Sequence, residues 1–394
     1  MGGIGFLRVT VVMAVVGVWV ASAAAADDSI LCSNATGDAA IGACTRAIAS
    51  GQLKGHDLAQ LYYNRGFEYG NKADPDRAIA DYSEAIRLDP KFARAFNNRG
   101  KAYDDKKDYE RALKDYVDAI RLDPKFAPTF NNRGNTYAAK KDFDHAIADY
   151  NEAIRLDPKF VFAFYNRGNA YSGKKDYDRA LVDYNETARL DPKYALAYFG
   201  RGAAYSAKKD YDRAIAEYTE AIRLAPKYAL AFYNRANVYG IKKDYDRAIA
   251  DYGEAIRLNP KSVDAFVNRG TAYGNKQDYD RAIADYSEAI RLDPSDASAF
   301  DSRGLAYLKL GRNDNAMADY EAALKLDPGK ASSLYGRGLL KLKAGNLDEG
   351  NADIAAAKGI QPDIAEQFLG YGVTPPAPAV VAPQPTVVAP PQQP

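Results

Sequence analysis

Arginine recurs nine times at one register of a 34-residue spacing: Arg65, Arg99, Arg133, Arg167, Arg201, Arg235, Arg269, Arg303 and Arg337. Sixteen residues after each comes an acid: Asp81, Asp115, Asp149, Asp183, Glu217, Asp251, Asp285, Asp319 and Asp353. A guanidinium can grip a carboxylate through two parallel N–H bonds. The spacing therefore predicts structural pairs such as Arg99 with Asp115, Arg133 with Asp149 and Arg167 with Asp183. A row of arginines could instead hold an anionic polymer. That each arginine comes with its own acid favours pairing, because half-buried charges need partners.

Directly before most of these arginines stands an asparagine, at Asn64, Asn98, Asn132, Asn166, Asn234 and Asn268. Ahead of three of those stands a tyrosine, at Tyr63, Tyr165 and Tyr233. An amide carries one acceptor and two donors, so it can hold a peptide group by both N–H and C=O. Such a row suits an extended chain read by its backbone. Tyrosines beside amides suit a sugar as well, and an asparagine can also bond locally. Nothing assembles a reaction centre: there is no phosphate-binding glycine loop and no histidine beside a credible nucleophile. The two histidines, His56 and His145, do not complete a zinc set with the two cysteines. No enzyme activity, cofactor or metal is expected.

The elements that position these residues follow from the period itself. Proline recurs at Pro90, Pro124, Pro158, Pro192, Pro226, Pro260, Pro294, Pro328 and Pro362, so nine copies of one repeat fill residues 59–364. Numbering each copy from Ala59, Ala93 and so on, position 4 is aromatic, position 8 is glycine and position 11 is tyrosine in most copies. Positions 20, 24 and 27 are mostly alanine, tyrosine and alanine. Spacings of four, three and seven put each set on one face of a helix, giving two helices per repeat. Aromatics opposite glycine and alanine let those helices approach closely. Asp-Pro at positions 31 and 32 is read as N-cap and first residue of the next helix. Asp at position 16 is read as the N-cap of the second helix.

This pattern resembles the tetratricopeptide repeat (TPR) family over about 300 residues. The resemblance implies an all-α, right-handed superhelical solenoid whose first helices line a concave groove, with positions 2, 5, 6, 9, 12 and 13 facing a ligand. The position 6 asparagines are similar to the asparagine ladder of the TPR superhelix in O-GlcNAc transferase, without its catalytic domain. The carboxylate clamp of chaperone-adaptor TPR grooves is disfavoured, since positions 2 and 5 hold no lysine. One departure is position 15, often glycine in the family but lysine here at Lys107, Lys141, Lys175, Lys209 and Lys243. Either these lysines take a left-handed conformation or the turn is built differently.

The ends read differently from the repeats. Residues 1–26 have one cation, Arg8, then an apolar run and an alanine-rich exit, as a secretory signal does; an uncleaved anchor is the rival. Cys32 and Cys44 fall in residues 27–58, where an isolated pair in an exported chain is read as a disulfide stapling a half repeat. Residues 365–372 are read as a capping segment, and 373–394, rich in proline, as a disordered spacer or docking tail. The chain has 53 Lys and Arg against 52 Asp and Glu, a balance that argues against a nucleic-acid partner. The expected function is a periplasmic or secreted scaffold that binds a protein or extended peptide, with no membrane span after signal cleavage. Envelope polysaccharide binding or assembly and a structural spacer are the alternatives.

Overall fold

The computed structural model describes residues 27–374; the segment read as a secretory signal and most of the proline-rich tail lie outside them. Among the described residues every element is helical. The chain divides into two compact bodies, one running to Asp210 and the other beginning at Tyr211. In the first body a short helix α1 (residues 27–34) and α2 (Gly37–Ala49) precede α3 (Gly55–Asn71) and α4 (Pro75–Leu88). The pairs α5 (Ala93–Asp105) and α6 (Tyr109–Leu122), α7 (Ala127–Ala139) and α8 (Phe143–Leu156), and α9 (Val161–Gly173) and α10 (Tyr177–Leu190) follow, then α11 (Ala195–Ala207). The second body holds α12 (Tyr211–Leu224), α13 (Ala229–Ile241), α14 (Tyr245–Leu258), α15 (Val263–Asn275) and α16 (Tyr279–Leu292). It continues with α17 (Ala297–Lys309), α18 (Asn313–Leu326), α19 (Ala331–Lys343), α20 (Leu347–Ile360) and the closing helix α21 (Ile364–Gly370). No described helix is long and apolar enough to cross a membrane.

Within a repeat the two helices meet through the position 24 tyrosine and the position 8 glycine. A Cβ on Gly134 would lie 2.7 Å from the Tyr150 ring, and one on Gly168 would lie 2.8 Å from Tyr184. Glycine is needed there because the ring occupies the space a side chain would take. Tyr116, Tyr150, Tyr184, Tyr218 and Tyr320 are among the largest fully buried side chains, and alanines at positions 20 and 27 complete the seam.

Two turns set the geometry of every repeat. Between the first and second helix, the position 15 residue adopts a left-handed backbone: φ is +60° at Lys107, +61° at Lys175 and +62° at Lys209, as at the true glycine Gly311 with +71°. The next residue closes the turn, Asp108 N–H donating to Tyr103 O at 2.9 Å. The same Asp108 then caps α6, its Oδ1 accepting from Arg111 N–H at 3.2 Å. A non-glycine residue in this region is strained by about 1 kcal/mol. Lys175→Gly is therefore expected to raise stability by about 0.5–1 kcal/mol, less than the full strain because glycine gains freedom in the unfolded chain. A thermal midpoint that stays level or falls would remove strain from this turn.

The second turn corrects the reading of Asp-Pro. Each first helix begins three residues after the proline, at Ala93 or Ala127, with Phe92 or Phe126 in the cap position. Asp89 instead ends the preceding helix and folds over the turn: its Oδ1 accepts from Lys91 N–H at 3.0 Å, and its carbonyl accepts from Phe92 N–H at 3.1 Å. Proline with its fixed φ suits the second position of such a turn as well as the first turn of a helix. The turn takes the aspartate because its side chain finds a donor two residues on.

Shorter helices pack against the first and last helix pairs among the described residues. Cys32 and Cys44 form a disulfide, and Ala40, Ala43, Cys44 and Ala47 of α2 are buried, with Leu61 of α3 packed in the same cluster. At the other end Ile364 and Phe368 of α21 are buried against Leu334, Tyr335 and Leu339.

Candidate binding groove

The position 7 arginines stand where the two helices of a repeat meet. Arg99 Nε lies 2.7 Å from Asp115 Oδ2 and Nη2 lies 2.8 Å from Oδ1. Arg133 meets Asp149 in the same fork at 2.8 and 2.6 Å. Arg167 and Asp183 repeat it, also at 2.8 and 2.6 Å. The carboxylates are the enclosed partners: the Asp183 side chain is 2% exposed and that of Arg167 is 19%. Burial pushes the Asp183 carboxyl up, while its bonds to Arg167 hold it down. The remaining Nη1 reaches the preceding repeat, Arg99 donating to Ser83 Oγ at 3.1 Å and Arg167 to Asn151 Oδ1 at 2.6 Å. Each such guanidinium thus ties three helices. The third partner was visible in sequence where position 25, sixteen residues before the arginine, is a small polar residue, as at Ser83 and Asn151; before Arg133 it is Val117, and that arginine makes no third bond among the described residues. With the Nε and Nη2 edge of each of these three taken up by an aspartate, they do not form a row open to an anionic polymer.

The asparagines form a different ladder. Asn98 Nδ2 donates to Tyr63 Oη at 3.0 Å, Asn132 Nδ2 to Asn97 Oδ1 at 3.1 Å and Asn166 Nδ2 to Asn131 Oδ1 at 3.0 Å. In the second body Asn268 Nδ2 donates to Tyr233 Oη at 3.0 Å. Position 6 is thereby tied to position 5 of the repeat before it. The two acceptor asparagines Asn97 and Asn131 are buried, whereas Asn132, Asn166 and Asn268 are half-buried. Asn132 and Asn166 each spend one N–H on the ladder, Asn268 donates to Asn237 Oδ1 at 3.2 Å as well, and the Oδ1 of Asn132, Asn166 and Asn268 accepts from no described group. The other two differ: Asn64 accepts from Gln60 at 2.8 Å, and Asn234 turns back to Leu230 O at 2.8 Å on its own helix.

Position 9 serves the core from the same face. Tyr150 and Tyr184 donate to Asn135 and Asn169, each at 2.8 Å, and Tyr252 donates to Asn237 at 2.6 Å. Repeat two has Lys101 there, and Tyr116 uses Asp104 instead at 2.8 Å. The aromatic residues cluster beside the ladder in the first body. Tyr165 packs edge-on against Tyr194 at 5.3 Å, and Phe162, 54% exposed, packs against Tyr194 at 5.8 Å. Tyr63 packs against Phe92, the rings tilted by 40° with centroids 4.9 Å apart.

A helix-hairpin array with arginine staples behind and an amide ladder on its first helices defines a repeat protein built to present a surface. Models described as TPR repeat match residues 76–106, 134–175, 275–311 and 304–345. Models described as Tetratricopeptide repeat match 93–126, 161–194, 195–228 and 229–262, and a further one matches 252–284. The chain belongs to the tetratricopeptide repeat family. Among solved structures it is similar to YrrB, "a TPR protein with an unusual peptide-binding site", at 24% identity over 48% of this chain and 98% of that one, with a TM-score of 0.42. A tetratricopeptide repeat protein from Parabacteroides merdae is 20% identical over 63% of this chain and 98% of its own, with a TM-score of 0.49. MamA is 27% identical over 44% and 94%, with a TM-score of 0.40. No curated protein sequence matches.

Proposed function

We propose that this chain is a non-catalytic interaction scaffold that holds an extended segment of a protein partner along its first helices. The supporting observation is the half-satisfied ladder. Asn132 and Asn166 are fixed in orientation by their bonds to Asn97 and Asn131, yet each keeps a carbonyl and one N–H for a ligand. Pre-oriented amides bind with less ordering entropy than free ones. Repeat arrays of this kind work through extended surfaces rather than pockets of reactive groups. Export is part of the proposal: the composition of residues 1–26 and the Cys32–Cys44 disulfide both suit an oxidising compartment.

The test is selection of peptides from a displayed random library on the purified chain, then affinity measurement for the best binder. Asn132→Ala combined with Asn166→Ala is expected to weaken it at least tenfold. N-methylating the peptide backbone opposite them should do the same, since that removes the N–H the carbonyls accept. A peptide that tolerates both changes would end the backbone-reading proposal. Retention of an envelope glycan with no peptide selected would transfer the groove to polysaccharide.

A further inference from the structure

The last repeats depart from the consensus at one connected set of positions in the second body. Position 5 is Asp301, where other repeats carry an aromatic, asparagine or valine, and position 9 is Leu305. The next repeat opens with Ser332 and Ser333 at positions 2 and 3. Asp301, Leu305, Ser332 and Tyr320 line an open cavity of about 540 Å³, with Phe368 and Tyr371 of the C-terminal segment also on its wall.

Two groups in it are chemically incomplete. Asp301 accepts from Ser333 Oγ at 2.6 Å and from Ser332 Oγ at 2.8 Å, and burial pushes its carboxyl up. Among the described residues no ion pair is formed with it, since Lys330, the cation that draws it down, donates instead to Ser298 Oγ at 3.1 Å. Lys309, also on the wall, does not reach Asp301: its ammonium donates to Tyr371 O at 2.5 Å and lies over the Tyr279 ring. Tyr320 is fully buried, and its hydroxyl has no partner. Its counterparts Tyr150, Tyr184 and Tyr252 donate to a position 9 asparagine, which here is Leu305. Gly336 makes room for this arrangement: a Cβ there would lie 2.4 Å from the Tyr320 ring. A buried polar group without a partner costs about 1–3 kcal/mol, and a carboxylate without a cation costs more. Both are relieved by a ligand that brings positive charge and N–H donors. A neutral sugar would satisfy the hydroxyl and leave the carboxylate unpaired.

We propose that this cavity binds a primary ammonium group, with Asp301 as its counter-ion and the Tyr320 hydroxyl as a second acceptor. The group can come from a lysine side chain or a free amino terminus. The site does not depend on the asparagine ladder, so the two tests fail independently.

Titration calorimetry on the full chain would use four probes: Nα-acetyl-lysine methylamide, alanine methylamide, Nα-acetyl-norleucine methylamide and methyl glucoside. One of the two amines should bind, which identifies the source of the ammonium, and the norleucine probe should not. Asp301→Asn should weaken the amine at least tenfold. Tyr320→Phe should weaken it several-fold while leaving the thermal midpoint level or higher, because it deletes only the unpartnered hydroxyl. Absence of amine binding, or equal binding of norleucine or glucoside, overturns the proposal. If Asp301→Asn does not fold, Tyr320→Phe decides, and an unchanged affinity in it rejects the site.

Discussion

Arg167→Leu should destabilise the first body by about 3–5 kcal/mol, because it strands the Asp183 carboxylate at a position 1% exposed. Asp183→Leu should cost less, about 1–3 kcal/mol. The arginine it strands is partly solvated and keeps its bond to Asn151 at 2.6 Å. The double leucine variant replaces the pair with apolar groups and should recover at least 2 kcal/mol relative to the sum of the singles. Simple additivity would mean that the pair is incidental to the fold. Because a repeat array need not unfold in one step, urea midpoints should be read together with hydrogen exchange along α9 and α10. Loss of protection confined to those helices and their neighbours is the expected pattern; uniform loss along the chain would contradict a local staple.

This pairing was open to sequence reading because it repeats: one arginine and one acid, always sixteen apart, imply two facing helices before any coordinate is known. The left-handed lysines were open only as an alternative, since a turn that prefers glycine can be forced by the helices on either side of it. Asp-Pro was misread for a local reason. Aspartate caps a helix and closes a turn with the same oxygen, and only the position of Phe92 relative to α5 separates the two. The asparagine ladder was half legible. The residue type announced hydrogen bonding, but the acceptor sits 35 residues earlier, on another helix, and is buried. The second repeated contact between repeats, position 14 lysine to a position 18 acid as in Lys140 with Glu110 at 2.5 Å, went unread because exposed charges carry little pattern. The ammonium cavity was not legible at all. Asp301, Ser332 and Tyr320 look like scattered departures until α21 folds back beside them.

Alkaline pH should unfold the array before its chemistry is otherwise affected. Eight position 24 tyrosines run from Tyr82 to Tyr320, and each is at most 5% exposed. Burial pushes their hydroxyls up, to about 12 at Tyr184 and Tyr286 and further at Tyr116, Tyr150 and Tyr320. A group whose folded value is raised stabilises fully below its unfolded value, near 10 for tyrosine, and loses that contribution as pH rises through the folded value. Between pH 10 and 12 each buried tyrosine therefore withdraws about 1.4 kcal/mol per pH unit. Several withdrawing together exceed the stability of an ordinary domain, about 5–15 kcal/mol. The expected result is a steep loss of helical circular dichroism near pH 11, coincident with a second rise in tyrosinate absorbance after the exposed tyrosines have titrated. Tyr150→Phe with Tyr184→Phe should shift that transition to higher pH, since phenylalanine has no proton to lose. A full tyrosinate signal with helix content intact at pH 12 would show that the rings reach solvent without unfolding, and the packing of tyrosine on glycine at the heart of each repeat would have to be looser than the close approach of Tyr150 to Gly134 requires.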